Sequence, residues 1–195
     1  MNRNKRLLFS AVLSATPSLS IRMKVIKQFR LFGHVGRNCM VNIKKVPLYS
    51  NLIFIHDNVI IATDVHFTTH DGIHFLLNNQ NGEGKFMEKV GCIEIMNNVF
   101  VGSGTRILYN TRIGNNVIIG AGSLVNKDIP DNSVVAGVPA RRICSFDEYV
   151  EKHRAYSDAF RKKFGIEKIC GVDDKLAAKL YEDFLKQRGN EHTDI

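Results

Sequence analysis

The stretch Ile93–Ile143 reads IEIMNNVFVGSGTRILYNTRIGNNVIIGAGSLVNKDIPDNSVVAGVPARRI. An aliphatic residue recurs in it at every sixth position, in the series Ile95, Val101, Ile107, Ile113, Ile119 and Val125. This spacing does not suit an α-helix, which turns once in about 3.6 residues, nor a lone strand, which alternates with a period of two. Short strands joined by tight corners and stacked on one another do have this period. The stretch therefore predicts an all-β solenoid, a parallel β-helix.

The same period runs through an earlier part of the chain, at the positions Val35, Val41, Ile55, Ile61 and Phe67. Its phase shifts once near Pro47 and again between Phe67 and Ile95. The second shift indicates a loop of about twenty residues inserted between His70 and Lys89, and a loop of that length inside a compact repeat is usually functional or disordered. We therefore expect the solenoid to span about residues 33–143.

Three motifs in the deciding stretch are specific: NNVFVGSG at 97–104, VIIGAGSLVNKDIP at 117–130 and VAGVPARRI at 135–143. With the repeat, they resemble the closing coils of the hexapeptide-repeat acyltransferases, left-handed β-helix enzymes that use acetyl-CoA. The resemblance is closest to the maltose, galactoside and capsular-sugar O-acetyltransferases, with the xenobiotic acetyltransferases as neighbours. It implies a left-handed parallel β-helix, acetyl-CoA as the donor, no metal and a homotrimer.

Around the solenoid we expect two helical extensions. Residues 1–32 form a basic N-terminal extension, residues 33–143 the β-helix with its loop at about 70–90, and residues 144–195 a C-terminal extension. In the last part, apolar residues recur at helical spacing within 146–164 and 173–187, which predicts two amphipathic helices.

Positive charge is concentrated at the N-terminus: the first 56 residues contain ten Lys and Arg and no Asp or Glu, and the whole chain has a net charge of +8. Residues 20–32 predict a basic amphipathic helix with Ser20 as its N-cap and Ile21, Val25, Phe29 and Phe32 on one face. We expect this helix to cover the open end of the solenoid, and contact with an anionic membrane or a polyanionic acceptor is the alternative. No nucleic-acid-binding motif accompanies the charge, so we expect no nucleic acid partner.

The first residues, MNRNKR followed by LLFSAVLSA, imitate a secretory signal. The apolar core is only nine residues long and contains Ser10. Since acetyl-CoA is a cytosolic donor, we expect a cytoplasmic protein. The four cysteines show no CxxC spacing, which is typical of free thiols in a reducing compartment.

Three histidines, His66, His70 and His74, cluster where the inserted loop leaves the repeat. Acetyl transfer to a hydroxyl needs a base that removes the proton as the new C–O bond forms, and histidine, which titrates near neutrality, suits that role. The segment FTTHDG at 67–72 resembles the family's position for the catalytic histidine. The resemblance implies that His70 is the general base, and we expect His74 to contact the acceptor.

The resemblance also places the donor site at two corners and one turn. It implies that Ser103 and Ala121, at successive corners, hydrogen-bond the pantetheine arm through their backbone groups. Asn126 and Lys127 take the place of the family's Thr-Lys or Ser-Lys pair before Asp-Ile-Pro. Because asparagine replaces threonine or serine there, the side-chain contact at Asn126 differs from the family's.

Further along, Arg141 stands where the family has a basic residue that faces the CoA phosphates. The family often adds another Arg after the final Ile, but Cys144 occupies that place here, and Arg142 is the substitute within this chain. Phe100 replaces the usual Trp beside the thioester arm and keeps an apolar wall. Clustered cations of this kind are suited to charge-assisted contacts with phosphate.

On the acceptor side, Asn42 aligns with an acceptor-binding Asn of the sugar acetyltransferases, although a corner asparagine is also a common turn residue. Some relatives place an acidic acceptor contact further along, where this chain has Ser50. This departure leaves the identity of the sugar open.

These observations predict an acetyl-CoA-dependent O-acetyltransferase that modifies a sugar or polysaccharide precursor. A xenobiotic O-acetyltransferase is the alternative within the same family. Two readings from other classes are a zinc hydratase, with His66, His70 and His74 as ligands, and a non-catalytic anion-binding scaffold. A zinc site needs about three converging ligands, whereas FTTHDG predicts strand and turn. A scaffold has no need of the GAG, KDIP and GVPA motifs.

Overall fold

The computed structural model describes residues 2–81 and 85–189. The chain forms two compact units, Met1–Tyr149 and Val150–Ile195. Within the described residues there are five α-helices: α1 (Arg3–Ala15), α2 (Leu19–Gln28), α3 (Ile73–Asn81), α4 (Phe146–Phe164) and α5 (Asp174–Arg188). None of these helices has both the length and the apolar character needed to cross a membrane.

The described part of the chain contains thirteen short strands: β1 (His34–Val35), β2 (Met40–Val41), β3 (Ile53–Ile55), β4 (Val59–Ile61), β5 (His66–Thr68), β6 (Ile93–Ile95), β7 (Val99–Val101), β8 (Arg106–Leu108), β9 (Thr111–Ile113), β10 (Val117–Ile119), β11 (Leu124–Val125), β12 (Ser133–Ala136) and β13 (Arg141–Ser145). A 3₁₀ turn, Ser50–Leu52, precedes β3.

The strands form three sheets that the chain visits in turn. The first sheet has the order β1-β3-β6-β9, the second β2-β4-β7-β10-β12 with β13 at its end, and the third β5-β8-β11. All pairings are parallel except that of β12 with β13, which is antiparallel. Successive coils of the chain therefore stack directly on one another, which is the topology predicted by the six-residue period.

The core of the stack consists of the residues at the six-residue interval. In register they form three rows, Ile55-Ile95-Ile113, Ile61-Val101-Ile119 and Phe67-Ile107-Val125. Phe67 retains 8% exposure and the other eight are fully buried. Each buried aliphatic side chain contributes about 1.5–3 kcal/mol relative to exposure, so the rows account for much of the driving force. The periodic core is confirmed.

A column of asparagines joins the coils at one corner. Their backbones all have positive φ, a conformation that asparagine tolerates better than most residues. Each side-chain amide donates to the amide oxygen on the next coil, over 2.8, 2.8, 3.0 and 3.0 Å. This asparagine ladder consists of Asn38, Asn58, Asn98, Asn116 and Asn132.

Helix α2 begins and ends earlier than the sequence predicts, and Ser18, not Ser20, is its N-cap residue. The predicted apolar face is only partly buried: Phe32 and Val25 pack in or against the core, but Ile21 and Phe29 are half-exposed. Arg22, by contrast, is 93% buried. The physical reason is that the Arg22 guanidinium has acceptors in the interior. Its Nε donates to the carbonyl oxygen of Thr16 over 2.6 Å, and its Nη1 donates to Oδ1 of Asn42 over 2.5 Å.

Both N-terminal helices contribute to the core of the first unit. Helix α1, which the signal-like composition concealed, buries Phe9 and Leu13, and α2 buries Ile26 beside them. Helix α2 lies against β2, the terminal strand of the second sheet, where the sulfur of Met23 accepts from the backbone N–H of Val41 over 3.2 Å. A backbone N–H at the edge of the second sheet thus donates to a side chain of the N-terminal extension.

The excursion between β5 and β6 leaves the stack through a narrow neck. The backbone N–H of Gly91 donates to the carbonyl oxygen of Thr69, and that of Asp71 to the carbonyl oxygen of Lys89, both over 3.0 Å. Between these bonds, His70 and Val90 form an antiparallel bridge. The sequence predicts only a loop here, but part of it is helix α3; residues 82–84 lie outside the described residues.

In the second unit, α5 begins beside Asp173, whose carboxylate accepts from the backbone N–H of Leu176 over 2.8 Å. Lys163 forms an ion pair with Asp183. The bounds of α4 and α5 agree within one residue with the two amphipathic helices that the sequence predicts.

Candidate active site

His70 lies in the neck of the excursion, two residues after β5 ends. Its ring packs edge-on against the ring of Tyr49, with centroids 5.4 Å apart and an interplanar angle of 83°. Its Nδ1 is buried and has no hydrogen-bond partner within residues 2–81 and 85–189, whereas Nε2 is not among the buried atoms of this kind. Nε2 is therefore the ring nitrogen of His70 that a ligand can reach.

Tyr49, which packs against His70, is itself held by the excursion. Its hydroxyl donates to Oε2 of Glu88, on the returning limb, over 2.8 Å. This hydrogen bond is the main cause of the raised pKa of Tyr49. The Tyr49 backbone has a φ of 51°, in the left-handed region. A non-glycine residue in that region incurs a cost that the surrounding contacts must offset.

The outgoing limb of the neck is held in the same manner. The hydroxyl of Tyr109, which follows β8, donates to Oδ2 of Asp71 over 2.7 Å, and the Asp71 Oδ1 accepts from the backbone N–H of Ile73 over 3.1 Å. The Tyr109 hydrogen bond is the main cause of the lowered pKa of Asp71. A tyrosine–carboxylate bond thus stands on either side of His70.

The other two histidines of the cluster lie apart from this arrangement. His66 is exposed on β5 beside Arg106 of β8. His74 lies in the first turn of α3, where its ring contacts that of Phe75 with centroids 4.1 Å apart and its buried Nδ1 has no partner in the described part of the chain. Across that part, no three side chains of His, Cys, Asp or Glu form a group that could hold a metal ion.

A cleft of about 170 Å³ lies at the end of the stack, where β13 turns back along β12. It is lined in part by Asn126, Lys127, Arg141 and Arg142, so the structure brings four of the predicted donor-site residues together. No carboxylate within the described ranges forms an ion pair with its three cations. The Asp128 carboxylate in the lining accepts from the backbone N–H of Arg112 over 2.8 Å. We call this the basic cleft.

Ser103 and Ala121 are stacked at one corner of successive coils but are not part of the basic cleft's lining. The coils approach closely here: a Cβ on Gly102 would lie 2.5 Å from the backbone nitrogen of Ala121, so the site requires glycine. The backbone N–H groups of Ser103 and Ala121 have no backbone acceptor among the described residues. Both corners can therefore donate to a ligand.

Two predicted acceptor-side positions are occupied by contacts within the chain. Oδ1 of Asn42 accepts from Arg22, and its Nδ2 donates to Oγ1 of Thr63 over 2.9 Å. Ser50, which stands where relatives have an acidic contact, is 96% buried. Phe100 is 42% exposed on the outer face of the second sheet, between Ile60 and Ile118, and so provides an apolar surface there.

The coils of this chain match a known protein family. The family model described as "Bacterial transferase hexapeptide (six repeats)" matches residues 93–127. Galactoside O-acetyltransferase of Escherichia coli (strain K12) is 40% identical over 126 residues, which is 64% of this chain and 59% of that protein. Protein CapG of Staphylococcus aureus is 40% identical over 136 residues, 68% of this chain and 77% of that protein.

The chain belongs to the bacterial hexapeptide-transferase family.

Among solved hexapeptide transferases, a galactoside acetyltransferase in complex with coenzyme A has 29% sequence identity and a TM-score of 0.59. The match covers 76% of this chain and 82% of that one. By contrast, this chain spans less than two thirds of the length of the E. coli galactoside O-acetyltransferase.

The sequence of this hexapeptide transferase did not indicate the residues that hold the neck: Tyr49, Asp71, Glu88 and Tyr109. Each of their two hydrogen bonds joins residues that are far apart in the sequence, by 38 positions in one case and 39 in the other. No local sequence pattern therefore predicts them. The asparagine ladder did have a signal, since Asn58, Asn98 and Asn116 each precede a valine that begins a strand.

Proposed function

We propose that the chain is an acetyl-CoA-dependent O-acetyltransferase that transfers an acetyl group to a hydroxyl of a sugar or polysaccharide precursor, with His70 as the general base. The observation that carries the proposal is the basic cleft. Lys127, Arg141 and Arg142 meet there without carboxylate partners in the described residues. Unpaired cations in one cleft suit the phosphate groups of a nucleotide donor.

The rest of the donor has matching groups on the coils. The pantetheine arm carries amides, and the free N–H groups of Ser103 and Ala121 lie at adjacent corners where they can donate to amide oxygens. Asn126 is exposed in the cleft and offers its side-chain amide. The similarity to a galactoside acetyltransferase solved in complex with coenzyme A supports this assignment.

His70 would act through Nε2. With its proton on Nδ1, the neutral ring accepts the hydroxyl proton at Nε2 as the acceptor oxygen attacks the thioester carbonyl. The tetrahedral intermediate then expels the CoA thiolate, and the proton returns from Nε2 to that sulfur. Backbone N–H groups can stabilise the oxyanion. The contact of the imidazole with the Tyr49 ring supports this assignment, because it limits the orientations open to the His70 ring.

Three further features complete the proposal. The coils wind in the left-handed sense, three chains form a homotrimer, and the protein works in the cytoplasm, where acetyl-CoA is made available. His74 has an unpartnered nitrogen in the described part of the chain and remains a proposed acceptor contact. For Asn42 we propose a structural role instead, because both ends of its amide already have partners.

A direct assay tests this function. Purified protein is incubated with acetyl-CoA and a panel of sugars, sugar phosphates, nucleotide-sugars and antibiotics, and the release of free CoA thiol is followed. The proposal expects thiol release that depends on a sugar acceptor and an O-acetylated product by mass spectrometry. Acetylation of antibiotics alone would make the protein a xenobiotic acetyltransferase, and the absence of acetyl-CoA binding by calorimetry would overturn the donor assignment.

A further inference from the structure

A second basic cavity lies on the other side of Tyr49, between the N-terminal helices and the first coil. It has a volume of about 160 Å³, and its lining includes Lys5, Arg6, Arg30, Tyr49, Ser50 and Asn51. We call it the N-terminal pocket. None of the residues described in its lining is Asp or Glu. Three cations and three further hydrogen-bonding side chains therefore converge on a space that contains no countercharge.

The Tyr49 hydroxyl donates to Glu88, but other donors of this pocket have no partner within the described residues. Nε of Arg6 is buried and has no hydrogen-bond partner in the described ranges, although its Nη1 reaches the carbonyl oxygen of Val46 at 3.5 Å. The Ser50 hydroxyl and the Arg30 guanidinium likewise make no hydrogen bond to a described residue. Leaving a buried charged donor unpaired costs free energy, so such a group usually has a ligand or water as its partner.

The pocket adjoins the candidate catalytic histidine through one shared wall. Tyr49 lines the pocket, and its ring contacts the His70 ring at a centroid distance of 5.4 Å. The Glu88 carboxylate that holds the Tyr49 hydroxyl is not part of the lining. Tyr49 is therefore common to the pocket and to the contact with His70.

We propose that the N-terminal pocket holds the phosphate or carboxylate group of the acceptor, so that the chain acetylates a charged sugar in preference to a neutral one. This inference rests on the proposed function and names its substrate class. The anion accepts from Lys5, Arg6 and Arg30, with Ser50 and Asn51 as neutral donors. The sugar ring then extends past Tyr49 towards His70.

The binding arm of the test uses inorganic phosphate and glucose 6-phosphate as probes. They are titrated into the full-length ¹⁵N-labelled protein while the arginine Nε–H signals are observed by NMR, with glucose as the neutral control. The proposal expects the Arg6 Nε–H signal to shift with both phosphates and not with glucose. In Lys5→Gln/Arg30→Asn the affinity should fall about tenfold or more, because the two substitutions remove two charge-assisted contacts. Asparagine suits position 30 because Arg30 has a φ of 48°.

The matched control is Lys24→Gln, which removes an exposed cation from α2 outside the pocket and should leave phosphate binding unchanged. Equal binding of phosphate by the double variant and the wild type would overturn the proposal. So would a shift of the Arg6 signal that requires anionic phosphatidylserine vesicles and is absent with both phosphates, because the basic surface would then serve a membrane.

The turnover arm compares glucose with glucose 6-phosphate as acceptors. In the double variant, the Michaelis constant for the phosphate should rise about tenfold, while those for glucose and acetyl-CoA stay unchanged. Parallel changes for both sugars would refute the acceptor role even if phosphate binds. If the wild type transfers acetyl to nothing, the proposed function fails, and the binding arm still decides whether the pocket is an anion site.

Discussion

The hydroxyl of Tyr109 donates to Oδ2 of Asp71 over 2.7 Å and so ties the outgoing limb of the excursion to the next coil of the third sheet. Asp71 directly follows His70 in the chain. On the other limb, Glu88 accepts from Tyr49, whose ring contacts His70. The position of the candidate base therefore depends on two hydrogen bonds between the excursion and residues outside it: Tyr109 to Asp71 and Tyr49 to Glu88.

The first prediction concerns pH. The pKa of Asp71 is lowered chiefly by the Tyr109 hydrogen bond, so the stabilisation it gives the neck is present above the carboxyl's unfolded pKa of about 3.9 and is lost as the pH falls through the lower folded pKa. Tyr109→Phe should raise the pKa of Asp71 towards its ordinary value. Carboxyl NMR titration measures this shift. In Tyr49→Phe, the matched control, the Asp71 titration should not move; if it moves equally, the two bonds do not act separately.

The second prediction concerns catalysis by His70. In His70→Ala, turnover should fall by about 10²–10⁴-fold, the usual contribution of a general base, because no other group would accept the hydroxyl proton at that position. The affinity for acetyl-CoA, measured by calorimetry, should stay unchanged. His66→Ala is the control, since His66 lies exposed on the preceding strand. Near-normal turnover in His70→Ala would reassign the base.

The third prediction concerns the basic cleft. Lys127→Glu and Arg141→Glu should each weaken the binding of acetyl-CoA more than that of acetyl-pantetheine, which lacks the nucleotide phosphates. An attraction is lost and a repulsion gained at the phosphate end alone. Lys24→Glu controls for the change in net charge. Equal losses for both donors would mean that these substitutions disturb the fold of the cleft.

The fourth prediction concerns the asparagine ladder. Asn98 donates one ladder bond and accepts another, and it has a φ of 59°. Asn98→Gly removes the bonds but keeps the backbone conformation, and it should lower the free energy of unfolding by about 1–2 kcal/mol. Asn98→Ala should cost about 1–2 kcal/mol more, because alanine is strained in the left-handed region. Urea denaturation compares the two. If both variants lose the same amount, the backbone strain is negligible at this corner.

The coils could be predicted from the sequence because each of them needs the same residue types at the same spacing. A residue such as Ile107 must be buried and the corner before it must turn tightly, and both demands fall within a few residues of chain. The ladder is harder to predict, because its asparagines recur at unequal intervals and asparagines at corners are ordinary turn residues.

The side-chain contacts of the N-terminal extension and of the neck could not be predicted from the sequence, for a different reason. Arg22 is buried because Thr16 and Asn42 supply acceptors, and the second of these lies 20 residues away. The helical periodicity of residues 20–32 assigns the charged Arg22 to the solvent-exposed face of the helix. It therefore predicts that Ile21 and Phe29 are buried. In the candidate site, the residues of the basic cleft came from the family resemblance, whereas the bonds to Asp71 and Glu88 exist only once the coils are stacked.

The strand registers of the stack repeat at a constant interval in part of the chain. From β6 to β9, from β7 to β10 and from β8 to β11 the pairing offset is 18 residues. Removing residues 98–115 would bring Asn116 to the place of Asn98 and Ile119 to that of Val101, so every ladder and core contact would have a successor. The deletion would also remove Tyr109 and with it the hydrogen bond to Asp71. The span between the neck at His70 and the basic cleft would shorten by about 4.8 Å, one inter-strand spacing. The number of coils thus sets the separation between His70 and the basic cleft, and a chain one coil shorter would hold the two at a different separation.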